Sequence, residues 1–235
     1  MAKKMVGLGY PLKLEWMNKA LNLVCEGMAQ DNIKEALDDY LGFEIEGLES
    51  RRKTRDILMN IWVKPFEEST STELRSSVLE LVKAGNEDNL VFHWCMLLLT
   101  YPVFADLTEM IGKLTTMQDT FSQEWLMGKL YEAWGERTTL YQSVRKSLQT
   151  MRQIEVLSST KGVYTVYHTQ VSNPDTKKVL IKTILALKKR AYYEPSELAS
   201  VPQMFPFEYE VDSELIFGSN DFELGNFGGS PVVVG

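Results

Sequence analysis

The sequence predicts a mainly α-helical protein, with a helical N-terminal bundle followed by a winged helix-turn-helix that has a small β-hairpin wing. Two observations lead there. Through the first two-thirds of the chain, apolar residues recur at helical spacing between capping residues and Gly or Pro stops. After them, "RTTLYQSVRKSLQTMRQ" reads as one more helix, and "IEVL" and "VYTVYHTQV" are β-branched and aromatic runs separated by "SSTKG". Two helices, a short turn around "GER" and a two-stranded hairpin give the element order of that fold.

The N-terminal helices follow in turn. "LKLEWMNKALNLVCEGMAQ" sets Leu14, Met17, Leu21 and Val24 on one helical face. "DNIKEALDDYLG" offers Asp31 as an N-cap and Gly42 as a C-terminal stop. "LESRRKTRDILMNIWVKP" stays helical until Pro65, and "STSTELRSSVLELVKAGN" runs from a hydroxyl cap to Gly85. The apolar run Leu90–Ala105 is shorter than the roughly 20 residues a bilayer span needs, so a single buried core helix is expected. Helices around "FADLTEMIGKLTTM" and "SQEWLMGKLYEAWG" lead to the hairpin region. The basic stretch "TKKVLIKTILALKKRAYY" is expected to be an amphipathic helix. The expected division is 1–102 as a helical domain, 103–190 as a winged-helix-like domain, and 191–235 as an acidic, aromatic and glycine-containing extension. The start "MAKKMVGLGYPLKLEW" lacks the apolar stretch of a secretory signal, and the expected location is cytoplasmic.

Charge is distributed unevenly. Residues 1–136 carry 14 basic and 22 acidic side chains, residues 137–190 carry 11 and 2, and residues 191–235 carry none and 8. A block of +9 inside a chain of net charge −7 points to an electrostatic role, because a surface field follows local charge. On the helix over "RTTLYQSVRKSLQTMRQ", Leu140, Tyr141, Val144, Leu148 and Met151 form the apolar stripe. Gln142, Lys146, Gln149 and Gln153 centre the opposite face, with Arg145 and Arg152 at its edge. Amide and cationic donors without a carboxylate suit base edges and phosphates. Thr138 or Thr139 is expected to cap this helix, where free amides suit a phosphate, and Lys161 is expected at the wing tip. A second basic cluster, "RRKTR", holds Arg51, Arg52 and Arg55 near another helix start, with Glu44, Glu46 and Glu49 close enough in sequence to balance it.

Two stretches, "ESRRKTRDILMNIW" and "WGERTTLYQSVRKSLQTMRQIEVL", resemble segments of the BrxA family, small proteins of BREX phage-defence systems. The likeness spans about residues 15–190 and leaves out the acidic tail. It implies a helical part followed by a winged-helix-like part, with binding of double-stranded DNA. By that resemblance Arg51, Arg52, Arg55, Thr138, Thr139, Arg145 and Lys146 are implied as contacts, and other defence-system proteins as partners.

Nothing in the sequence suggests catalysis. His93 lies in the apolar run, where a satisfied core histidine is expected, and His168 sits on a strand beside hydroxyls. Cys25 and Cys95 match neither a disulfide framework nor a zinc site, and "GNFGGS" lacks the context of a phosphate loop. No cofactor, metal, membrane or small-molecule substrate is expected. The reading is a non-enzymatic DNA-binding protein. The alternative is an interaction scaffold whose basic block docks its own acidic tail or an acidic partner.

Overall fold

In the computed structural model the chain is described over residues 7–64, 69–188, 190–218 and 220–234. Over these described residues it is mainly helical, 61%, with eleven helices and small sheets. Four helices come first: α1 (Leu14–Cys25), α2 (Gln30–Gly42), α3 (Leu48–Trp62) and α4 (Ser69–Lys83). Pro65 lies outside the described residues, and the hydroxyl run expected to cap the next helix begins at Ser69, the first residue of α4. Asp31 falls in the first turn of α2 and makes no cap, because the N-cap position is Ala29; Gly42 is the last helical residue.

The apolar run is two helices where one was expected. α5 (Asn89–Thr100) and α6 (Pro102–Thr115) meet at 116°. Proline disfavours the helical region for the residue before it, and Tyr101 is extended at φ −122° and ψ 95°. Pro102 then sits in the first turn of α6, where its missing N–H costs nothing. Among the described residues no single helix is long and apolar enough to cross a membrane.

Next come β1 (Thr120–Ser122), α7 (Gln123–Trp134), α8 (Thr138–Gln153), β2 (Leu157–Thr160) and β3 (Val163–Val166). The three strands form an antiparallel sheet in the order β1-β3-β2, with Phe121 opposite Tyr164 and their rings stacked at 5.3 Å. β1 escapes the sequence reading, because three residues carry no periodicity. The chain continues through β4 (Thr169–Gln170), α9 (Pro174–Lys188), β5 (Tyr192–Tyr193) and α10 (Pro195–Leu198). A 3₁₀ turn (Pro202–Met204), β6 (Phe207–Glu208), α11 (Ser213–Phe217), β7 (Leu224–Phe227) and β8 (Ser230–Val234) complete it.

The C-terminal segment is sealed into the helical core. The Trp94 indole donates to the Gln203 carbonyl at 2.9 Å, and its ring meets Phe104, Phe205 and Phe207 edge-on. One contiguous set of buried side chains runs from Leu8 to Val233 and so crosses both expected domain boundaries. The first boundary falls within the first turn of α6. The glycine-rich end is ordered as the β7–β8 hairpin, whose β8 also pairs with β5.

Candidate nucleic-acid interface

α8 carries the central face. Leu140, Val144, Leu148 and Met151 are buried, as expected, but Tyr141 from the same stripe is exposed. The inner edge is lined instead by buried hydroxyls. The Thr150 hydroxyl donates to the Lys146 carbonyl and accepts from the Leu12 amide at 3.0 Å, and Ser147 donates to the Ser143 carbonyl. The chain segment before α1 thus packs along this edge. Gln142, Arg145, Gln149 and Arg152 stand in solvent, whereas Lys146 and Gln153 are half-buried. Thr138 and Thr139 are exposed and are the first two helical residues; the N-cap position is Arg137, with no side-chain cap bond.

The hairpin tip holds Lys161 and Gly162 at φ +51° and +82°. Positive φ at both central residues is the signature of the two-residue turn whose twist matches the flanking strands. Glycine adopts that conformation freely, and a lysine there costs about 1 kcal/mol. The Lys161 ammonium is left exposed at the tip.

None of Arg137, Arg145, Lys146, Arg152 and Lys161 has an ion pair among the described residues. Aromatic faces hold two of them: the Arg145 guanidinium lies 5.7 Å from the Tyr141 ring and the Lys146 ammonium 5.1 Å from that of Tyr10. A ring positions a cation without cancelling its charge.

Tyr10 does more than hold Lys146. Its hydroxyl donates to Ser50 Oγ at 2.5 Å, which brings the first turn of α3 beside the middle of α8. Arg51 and Arg52 follow Ser50 directly. Arg51 lies across the C-terminal end of α2, where a Cβ on Gly42 would come within 2.9 Å of its Nη1; a cation is favoured at that helix end. Two of the acidic neighbours have lysine partners. Glu49 pairs with Lys53, and Glu44 pairs with Lys13 and accepts from the Trp16 indole.

Arg55 does not belong to this surface. It is buried, 8% exposed, and its guanidinium pairs with Asp38 on α2 and with Asp56. It ties α3 to α2, so the contact role implied for it is corrected to a structural ion pair. A buried arginine needs such partners, because taking an unpaired charge out of water costs several kcal/mol, of order 3–5 when one partner is removed.

Lys178, Lys182 and Arg190 tell a different story, and Lys189 lies outside the described residues. On α9, Lys178 and Lys182 both reach Asp221 of the tail, at 3.0 and 2.7 Å, and Lys178 also pairs with Asp175. The hydrogen bond from Lys182, aided by Lys178 and opposed by burial, holds the Asp221 carboxyl at about 2. Arg190 pairs with Glu197 at 3.0 Å. The acidic tail thus folds onto α9. Among the described residues no ion pair joins it to α8 or the hairpin.

His93 is fully buried. It accepts from the Trp62 indole at Nδ1 and donates from Nε2 to Asn18 Oδ1 at 2.9 Å, and burial pushes its pKa down to about 3. His168 lies beyond β3, exposed, 4.0 Å from Glu208. Among the described residues no three His, Cys, Asp or Glu side chains gather in a metal-binding group, and Cys25 and Cys95 are free.

Comparison with protein-family models, with curated proteins and with solved structures finds no match to this chain.

Proposed function

We propose that the protein is a non-enzymatic binder of double-stranded DNA, and that helices α7 and α8 with the β1-β3-β2 sheet act as a winged helix-turn-helix. The order helix, strand, helix, helix, hairpin supports this reading, with the first strand closing the hairpin into a three-stranded sheet. The observation that carries it is the set of unneutralised cations along α8 and at the hairpin tip, interleaved with Gln142 and Gln149. In this reading Gln142, Arg145 and Gln149 face base edges in the major groove. Arg152, Lys146 and Lys161 meet phosphates, as do the exposed threonines at the start of α8. Arg51 and Arg52 extend the contact through Tyr10. The likeness to the BrxA family is the ground for proposing a BREX-like phage-defence setting, with other defence proteins as partners.

Titration of generic duplex DNA by fluorescence anisotropy tests this. Binding is expected at low salt and should weaken steeply toward physiological salt, since phosphate neutralisation releases counterions. Absence of binding at low salt would remove the proposal.

One observation bears on the scaffold alternative. Lys178 and Lys182 already hold Asp221, so docking of the acidic tail uses α9. An acidic partner protein would have to use the same α8 face, and the duplex titration separates the two readings.

A further inference from the structure

A cleft of about 420 Å³ opens between the last turns of α8 and the strand β2, lined by Gln149, Arg152, Gln153, Leu157, Ser158 and Ser159. Five of these six side chains are polar, and none is a carboxylate. Arg152 has no ion pair among the described residues, and neither serine hydroxyl bonds to another described residue. The Gln153 side-chain oxygen is buried without a hydrogen-bond partner. A buried polar atom left unpaired is uncommon in folded proteins and calls for a ligand, water or ion. Neither end of this carboxamide is committed, so a half-turn about its last bond presents an N–H in place of the oxygen.

A guanidinium, amide donors and two hydroxyls around a concave site with no negative charge make a receptor for one phosphate group. The cleft also lies between the two elements that the proposed function assigns to DNA. We infer that it seats a backbone phosphate of a DNA strand passing from α8 to the hairpin. Arg152 supplies the charge, Gln153, Ser158 and Ser159 the hydrogen bonds, and Lys161 stands further along the same strand. This assignment rests on the DNA-binding reading. It gives Gln153 a phosphate role and adds Ser158 and Ser159, neutral residues that charge patterning does not single out.

The test uses the full chain with Gln153→Leu combined with Ser158→Ala and Ser159→Ala, which leaves every cation in place. Duplex affinity at low salt should fall about tenfold or more, as expected when hydrogen bonds to a charged group are lost. The plot of log affinity against log salt should keep its wild-type slope, because every cation that displaces counterions is still present. A loss of folding would appear in the thermal transition; the single Ser158→Ala variant, expected to weaken binding about threefold, then takes its place. Wild-type affinity in these variants would overturn the cleft assignment while leaving the DNA reading intact. If the wild type binds no duplex, inorganic phosphate titrated at low salt decides. Amide shifts confined to residues 149–153 and 157–159 would keep the phosphate site with free phosphate as its source, and no shifts would overturn it.

Discussion

On α8 and the hairpin, Arg145, Arg152 and Lys161 stand in solvent without a carboxylate, whereas on α9 Lys178 and Lys182 share Asp221 at 3.0 and 2.7 Å. Both regions belong to the same basic stretch of sequence, and both are amphipathic helices with cations on the outer face. What separates them is where the C-terminal tail goes. Its aromatic residues Phe205 and Phe207 are fixed against Trp94, and that anchor leads the following acids past α9. The lesson is that a count of charge along a chain overstates the field when a distant segment supplies counter-charges. Lys178, Lys182 and Arg190 serve the fold, whereas Arg137, Arg145, Lys146, Arg152 and Lys161 remain available to a polyanion.

The comparison can be broken most directly by reversing charge on one side. Arg145→Glu with Lys146→Glu should reduce duplex affinity by more than about a hundredfold at low salt, since a base-edge contact and a phosphate contact become two repulsions. Lys178→Gln with Lys182→Gln should leave affinity within about twofold of wild type, because those charges are already spent on Asp221. Anisotropy titrations of both variants check the pair; equal losses would erase the distinction between the regions.

Lys161→Asn sharpens it further. Asparagine tolerates the left-handed conformation at φ +51°, so thermal stability should rise by up to about 1 kcal/mol, or about 2–4 °C in Tm. Duplex binding should weaken about three- to tenfold, with a salt slope shallower by about one. A more stable protein with undiminished affinity would show that the tip lysine makes no contact.

The smallest effect concerns Asp221. Its carboxyl at about 2 lies below the unfolded value of 3.8, so its contribution is present above about pH 4 and is lost as pH falls through about 2. The pairs are partly solvated, which limits the contribution to about 1 kcal/mol. Thermal unfolding of wild type and Asp221→Asn should therefore differ by a constant amount above pH 4 and converge between pH 4 and 2. Duplex affinity should not change by more than about twofold.

Much of the helical framework was legible in the sequence, because the 3.6-residue period needs only local information: α1, α3, α7 and α8 lie where their apolar spacing puts them. The break at Pro102 was legible too in principle, through the restriction on Tyr101, but the continuous apolar run masked it. Strands were less accessible. β1 has three residues and exists because Phe121 stacks on Tyr164, and β5 pairs with β8 about forty residues away. For the candidate interface, the helical wheel found Gln142, Arg145, Gln149 and Arg152, but misplaced Lys146 and Tyr141, whose exposure is set by Tyr10 and by the buried hydroxyl edge. Arg55 was misread because its partner Asp38 belongs to another helix. Tyr10 itself carries no local signal; only the folded chain brings it between Ser50 and Lys146.

The salt dependence of duplex binding, compared between wild type and Arg145→Glu with Lys146→Glu, tests the central claim most directly. The account predicts a wild-type slope of log affinity against log salt between about −3 and −5, set by the free cations of α8, the hairpin tip and the start of α3, with binding lost in the charge-reversed protein. A flat salt dependence, or equal binding by both proteins, would contradict it.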